Sequence, residues 1–223
     1  MEKKTITSNT LVMNGMPFIG KVLKRVAPYM DEMVICISES SNDGTEEEIK
    51  KELKDYWNKV IWMTENVKSP GELTEIENDM VKKSKGDWIL FLSDDDYWPQ
   101  DQLEKCIDLL EDPEILTYSV SPYQLIDWEH YDSSWGNKSF SKFLKNDNLS
   151  FVKPWPRELP VDKDKNPLYW RTHIKVKRLP FPEYHFYHLS YMKNWSFRND
   201  DWSINFRHKI GQSIKLEKPL KIC

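Results

Sequence analysis

The sequence has no patterned cysteines, no long apolar run and no glycine-rich basic loop, and each absence removes a class of protein. Its three cysteines, Cys36, Cys106 and Cys223, are scattered, odd in number and without metal-ligand spacing. That pattern excludes a disulfide framework and a cysteine-built zinc site, and it fits a reducing compartment. No stretch approaches the ~18 apolar residues a membrane span requires. The opening Met1-Glu2-Lys3-Lys4-Thr5-Ile6-Thr7 lacks the apolar core of a secretory signal, so the expectation is a soluble cytoplasmic protein. There is no internal repeat, low-complexity tract or flexible linker in the 223 residues, a length that suits one large domain or two closely fused halves. A net charge of -4 with 30% charged residues argues against a chain built mainly on non-specific nucleic-acid binding.

Aromatic residues and one acidic triplet are abundant by contrast. The 10 Trp and 10 Tyr exceed what a core of this size needs. Most belong to the core, and some suit a sugar or base site, because flat apolar rings with a polar edge match ligands of mixed polarity. Asp94, Asp95 and Asp96 end the run Gly86-Asp87-Trp88-Ile89-Leu90-Phe91-Leu92-Ser93, where a short apolar strand leads into a loop. Three adjacent carboxylates repel one another, and a divalent cation removes that repulsion while neutralising a diphosphate. Ligands of open α/β sheets collect at the carboxyl ends of strands, which suits a nucleotide. The plain alternative is a solvated turn, with Tyr97-Trp98-Pro99 starting a helix.

The first half alternates strand and helix signals. Strands are predicted over 6–13, 33–37, 60–63 and 88–92, with helices over 18–29, 46–58, 72–85 and 101–111. Single helices between short strands mark a parallel α/β sheet. After about residue 114 the rhythm changes. Residues 115–127 read as extended, 140–144 and 150–152 as the strands of a hairpin, 154–167 as a loop rich in Pro and charge, and 195–210 as a helix.

Three stretches in order carry a resemblance. Thr10-Leu11-Val12-Met13-Asn14, Asp31-Glu32-Met33-Val34-Ile35 and Ser40-Ser41-Asn42-Asp43-Gly44-Thr45 resemble the opening of family 2 glycosyltransferases. Asn78 followed by the run into the Asp triplet looks like that family's approach to its D-x-D metal motif. Fainter matches are Phe140-Ser141-Lys142-Phe143-Leu144-Lys145, Phe151 and Arg157-Glu158-Leu159, and His188-Leu189-Ser190-Tyr191 near the C-terminal end.

The resemblance implies a single α/β domain of the GT-A fold, a mixed sheet flanked by helices with a Rossmann-like nucleotide-binding half over about 1–114. An irregular acceptor half over about 115–223 completes it. It further implies a metal-dependent, inverting transfer of a sugar from a nucleotide-sugar to a hydroxyl on a glycan, lipid-linked carrier, small molecule or modified nucleic-acid base. The anomeric carbon becomes oxocarbenium-like as the diphosphate leaves, much as in glycoside hydrolysis. Asp95, Asp96 and His188 are the expected ligands of Mn²⁺ or Mg²⁺, and Asn14, Ser38, Glu39, Asp43, Asn78 and Asp94 line the nucleotide-sugar. A base must take the proton of the attacking hydroxyl; Glu158 is the first candidate, and the acidic pair Asp200 and Asp201 competes with it. His185 and His188 would point to opposite faces of a strand, so only one enters the site.

Departures from the family pattern are Ser38 and Ser93 where relatives carry Asp, and Glu77 where Arg often precedes the Asn. The first two weaken the case for a uridine diphosphate donor. The third removes a phosphate partner that Lys82 or Lys83 would have to replace. The alternatives are a non-catalytic carbohydrate-binding or assembly protein of the same fold, and a nucleotidyltransferase. Asn14-Gly15-Met16-Pro17 lacks the glycines and charge the latter usually shows.

Overall fold

The computed structural model describes residues 4–66, 70–135, 138–152, 159–168, 173–190, 192, 213–217 and 220. In chain order its elements are β1 (Ile6–Val12), α1 (Ile19–Val26), β2 (Glu32–Ser38), α2 (Thr45–Glu52), β3 (Val60–Glu65), α3 (Pro70–Lys83), β4 (Trp88–Phe91), β5 (Asp96–Tyr97) and α4 (Gln100–Ile107). The second half adds β6 (Thr117–Gln124), β7 (His130–Asp132), β8 (Phe140–Lys145), β9 (Ser150–Val152), β10 (Leu159–Val161), β11 (Val176–Arg178), β12 (His185–His188) and β13 (Ser213–Lys215).

Apolar patterning sets the first layer. β2 buries all but its first residue, and such a run is stable only with helices over both faces. α1 supplies one cover: Ile19, Val22, Leu23 and Val26 recur at helical spacing on its buried face, while Lys24 and Arg25 stand at its C-terminal end, where cations suit the helix dipole. β3, β2, β1 and β4 lie parallel in that order. Gly86 allows β4 to approach β1, because a Cβ there would lie 2.6 Å from the Thr7 backbone nitrogen.

The second half extends the same sheet. β8 runs antiparallel between β4 and β6, so β6 returns parallel to β4. β12 then lies parallel to the end of β6, and β5 closes antiparallel on β12. The carboxyl ends of β1, β2, β4, β6 and β12 therefore face the same way, and the amino end of antiparallel β8 joins them. This edge of the sheet gathers the candidate site. The core beneath it holds Trp88, Trp98, Tyr118, Phe143 and Phe186. None of the helices among the described residues is long and apolar enough to cross a membrane.

The mixed sheet flanked by helices agrees with the expected architecture, and four local expectations change. Residues 140–144 and 150–152 do not form a hairpin: both edges of β8 are taken by β4 and β6, so β9 pairs with β10 instead. Part of the predicted 154–167 loop is thus strand β10. The helix expected over 46–58 ends at Glu52 and continues after Leu53 as a 3₁₀ turn, Lys54–Lys59. Asp96, expected in a loop, and Tyr97, expected to start a helix, are strand, because they pair with His188 and Tyr187. The helix expected over 195–210 lies outside the described residues.

Candidate functional site

Asp94 and Asp95 sit in the short turn between β4 and β5, and Asp96 opens β5. Asp96 donates its backbone N–H to the Ser93 carbonyl at 3.2 Å, and its own Oδ2 accepts the Ser93 N–H at 3.0 Å, so the turn is closed from both sides. Pleating then separates the neighbours. Tyr97 turns to α1, where its hydroxyl accepts from Arg25 at 2.6 Å, and Asp96 turns to the opposite face toward Lys142 and His188.

β12 brings in the histidine. Its register sets His188 opposite Asp96, and the Leu189 N–H donates to the Asp95 carbonyl at 2.8 Å, locking the end of β12 to the triplet. His188 Nδ1 lies 3.0 Å from Asp96 Oδ1 and 3.4 Å from an Asp95 oxygen. His185 faces the other way, its ring among Tyr123 and Tyr187 and its Nδ1 against the Pro182 carbonyl, so one histidine of the two enters the site. Gln124, at the carboxyl end of β6, donates to the His188 carbonyl at 3.3 Å and to Ser190 Oγ at 3.1 Å, which holds the strand end from behind.

The centre is buried and its charges are coupled. Asp96 is 1% exposed, and it forms an ion pair with Lys142, which reaches in from the middle of β8. Burial alone pushes the Asp96 carboxyl up, but Lys142 and His188 outweigh it and hold it well below the usual carboxylate range. Burial likewise pushes the His188 imidazole down, and the hydrogen bond and charge of Asp96 outweigh it, so its affinity for a proton is raised. The ammonium of Lys142 lies 4.7 Å from the Phe186 ring centre, and the ring of His188 stands 5.9 Å from Trp135 and 6.4 Å from Phe140. An aromatic wall thus borders the acidic centre on the β8 side.

Asp95, Asp96 and His188 each offer a ligand atom within 4.8 Å of the others. Two carboxylates and an imidazole suit a hard or borderline divalent ion such as Mg²⁺ or Mn²⁺, so the residues fit the group the sequence implies. Asp94 is half-buried in the same turn.

The other predicted residues have different surroundings. Asn14 and Asp43 tie the loop after β1 to the loop after β2. Asn14 Oδ1 accepts the Asn42 N–H at 3.0 Å, and Asp43 Oδ2 accepts the Met16 N–H at 3.0 Å while its Oδ1 accepts from Thr45. They frame the carboxyl ends of β1 and β2. Ser38 is buried with its hydroxyl 2.8 Å from that of Ser40, whereas Glu39 is exposed beside them. Asn78 plays a structural part, because its amide donates to the Phe151 carbonyl at 3.1 Å and accepts the Phe151 N–H at 2.8 Å, docking β9 on α3. Glu158, Asp200 and Asp201 lie outside the described residues.

Sequence reasoning gave no role to Lys142, Gln124 or Trp135. For Lys142 a signal existed, since it shares a pleat face with Phe140 in a strand otherwise suited to burial. Gln124 and Trp135 carry none, because their roles depend on which strand end lies beside them.

No curated protein matches the sequence. Among solved structures, S. aureus TarS 1-349 superposes with a TM-score of 0.54 at 13% identity, covering 91% of this chain and 65% of that one. The same protein in complex with UDP-GlcNAc gives 0.53 at 12% identity, covering 82% and 58%. The mannosyltransferase PcManGT of Pyrobaculum calidifontis, in complex with GDP-Man and Mn²⁺, gives 0.46 at 19%, covering 54% and 36%. This chain therefore spans about a third of the mannosyltransferase and just under two thirds of TarS 1-349. The likeness to TarS shows a shared GT-A fold. The family model for glycosyl transferase family 2 matches residues 12–169, from the end of β1 past β10 and through the acidic turn. With that match over most of its length, the chain belongs to glycosyl transferase family 2.

Proposed function

We propose that this chain is a metal-dependent, inverting glycosyltransferase that moves a sugar from a nucleotide-sugar to an acceptor hydroxyl. The observation that carries the reading is the meeting of Asp95, Asp96 and His188 at the sheet edge where β1, β2 and β4 end. A bound Mn²⁺ or Mg²⁺ would supply charge neutralisation to the leaving diphosphate, and Asp95 and His188, with Asp96 beside them, are the residues to hold it. Their burial lowers the local dielectric and strengthens every charge interaction at the centre.

The donor half extends to about residue 114 and the acceptor half follows it. The frame built by Asn14, Asp43 and Thr45 fixes the loops after β1 and β2, and the neighbouring Ser38, Glu39 and Asp94 are the groups available to base, ribose and diphosphate. The half-exposed Trp135 and Phe140 wall suits a sugar ring, whose C–H faces stack on aromatic planes. Glu158, Asp200 and Asp201 remain the candidates for the base that takes the acceptor's proton. The buried thiols of Cys36 and Cys106 agree with a cytoplasmic setting.

Structures of TarS hold UDP-GlcNAc and UDP, which makes these the first probes to apply here. Titration of the chain with UDP, UDP-GlcNAc, GDP and GDP-mannose, each with and without Mn²⁺, should reveal binding of at least one nucleotide that strengthens with the metal. No binding in any combination would refute the reading. Binding with no release of diphosphate from the sugar nucleotide would turn it into a carbohydrate-binding role.

A further inference from the structure

The ion pair inside the candidate metal centre is the unexpected feature. Both oxygens of the Asp96 carboxylate have partners: Oδ2 accepts from the Lys142 ammonium and the Ser93 N–H, and Oδ1 faces His188 Nδ1 at 3.0 Å. Asp96 is 1% and the Lys142 side chain 7% exposed. The ammonium of Lys142 lies 5.8 Å from the ring centre of Phe140 and 4.7 Å from that of Phe186, rings that accept no strong hydrogen bond, so the carboxylate is what compensates the buried charge. A divalent ion joining the same carboxylate would be set beside an ammonium, and like charges at that range in a buried site repel strongly. His188, by contrast, has Nδ1 turned to Asp96 at 3.0 Å, with an Asp95 oxygen 3.4 Å from the same nitrogen, so the far nitrogen of the ring is the one that Asp96 does not engage. A carboxylate that fixes one ring nitrogen commonly orients the other toward a metal.

We propose that Lys142 is the resident cation of this centre, a positioning residue that neutralises Asp96 so that the carboxylate orients His188 instead of ligating the divalent ion. The ligand set of the chain is then Asp95 and the far nitrogen of His188, and the remaining charge and coordination come from the nucleotide diphosphate. Two protein ligands hold an ion weakly, so the free protein takes up metal mainly together with nucleotide. The inference rests on the reading of this site as a metal centre and divides the roles within it.

The test is a count of bound Mn²⁺ by the paramagnetic resonance of the free ion, on the full chain, with and without UDP, with folding checked by circular dichroism. Lys142→Met releases Asp96 toward the ion and should tighten Mn²⁺ binding to the free protein by about tenfold or more, while Lys142→Arg keeps the charge and stays within about threefold of wild type. The double variant Asp96→Asn with Lys142→Met replaces the pair by neutral groups of similar size, keeps an amide oxygen to accept from His188 Nδ1 and so preserves the ring's orientation, and should also stay within about threefold. Because a neutral pair is well tolerated, the double variant keeps the test decisive even if Lys142→Met alone fails to fold. Weakening of about tenfold or more in the double variant would make Asp96 a ligand and overturn the inference, as would a folded Lys142→Met with unchanged or weaker binding, or a Lys142→Arg that tightens as Met does. A folded wild type that binds no Mn²⁺ even with UDP would instead defeat the metal-centre reading itself, and this inference with it.

Discussion

Asp96→Asn should be among the most destabilising single substitutions that keep side-chain size in this chain. The carboxylate is 1% exposed and compensates Lys142, whose side chain is 7% exposed and bordered by Phe140 and Phe186. An amide of the same shape leaves that ammonium buried with no opposite charge, and breaking a buried pair in this way costs about 3–5 kcal/mol. The ring faces recover part of this, about 0.5–2 kcal/mol for a partly desolvated cation. A net loss of about 3 kcal/mol remains, which for a domain of this size lowers Tm by roughly 6–12 °C. Urea denaturation followed by tryptophan fluorescence at pH 7 in EDTA measures it without a metal that could restore charge balance. Lys142→Met strands the carboxylate instead, but the Ser93 N–H and His188 still face it, so its cost should be smaller, about 2 kcal/mol. A loss below about 1 kcal/mol for Asp96→Asn would show that water reaches the pair, and the account of a dry, coupled centre would be wrong.

Three further outcomes follow from other parts of the fold. Gly86→Ala should cost about 2–4 kcal/mol in a melting experiment, because its Cβ would lie 2.6 Å from the Thr7 nitrogen and disturb the Gly86 N–H bond to Thr7 Oγ1; a change under about 0.5 kcal/mol would contradict the close approach of β4 to β1. The Asp162 carboxyl is held down to about 2, chiefly by the Asn166 backbone N–H, so its contribution to stability is full above about pH 4 and is lost as pH falls through about 2; a carboxyl resonance titrating near 4 would contradict this. Burial pushes the Cys36 and Cys106 thiols up to about 12, so iodoacetamide at pH 8 should modify neither in the native protein and both after unfolding, and native modification of either would be inconsistent with the packing.

The first half of the fold was legible because its strands are short apolar runs joined by single helices, a pattern in which local sequence and tertiary role agree. β1 through β4 and the three helices between them lie where the periodicity places them, to within a few residues at most boundaries. The second half was less legible because its pairing is non-local. Nothing in Phe140–Lys145 tells that its neighbours are β4 and β6 rather than the adjacent Ser150–Val152. The triplet was found from charge and its place after a strand, and His188 from the family resemblance, yet the proposed division of labour between Asp95 and Asp96 depends on the pleat that turns Asp96 toward Lys142. Asn78 shows the opposite case, an amide in a family motif whose two hydrogen-bonding atoms are both occupied by the Phe151 backbone.

The claim at the centre of this account is that the Asp95 and His188 edge supports metal-dependent sugar transfer. Release of nucleoside diphosphate from a panel of nucleotide-sugars tests it most directly, since slow donor hydrolysis requires no acceptor. With Mn²⁺ present, at least one donor should release its diphosphate, EDTA should abolish the release, and Asp95→Asn should lower it by about 10²-fold or more with the fold intact. Release at the same rate in EDTA and Mn²⁺, or an Asp95→Asn protein as active as wild type, would contradict the account.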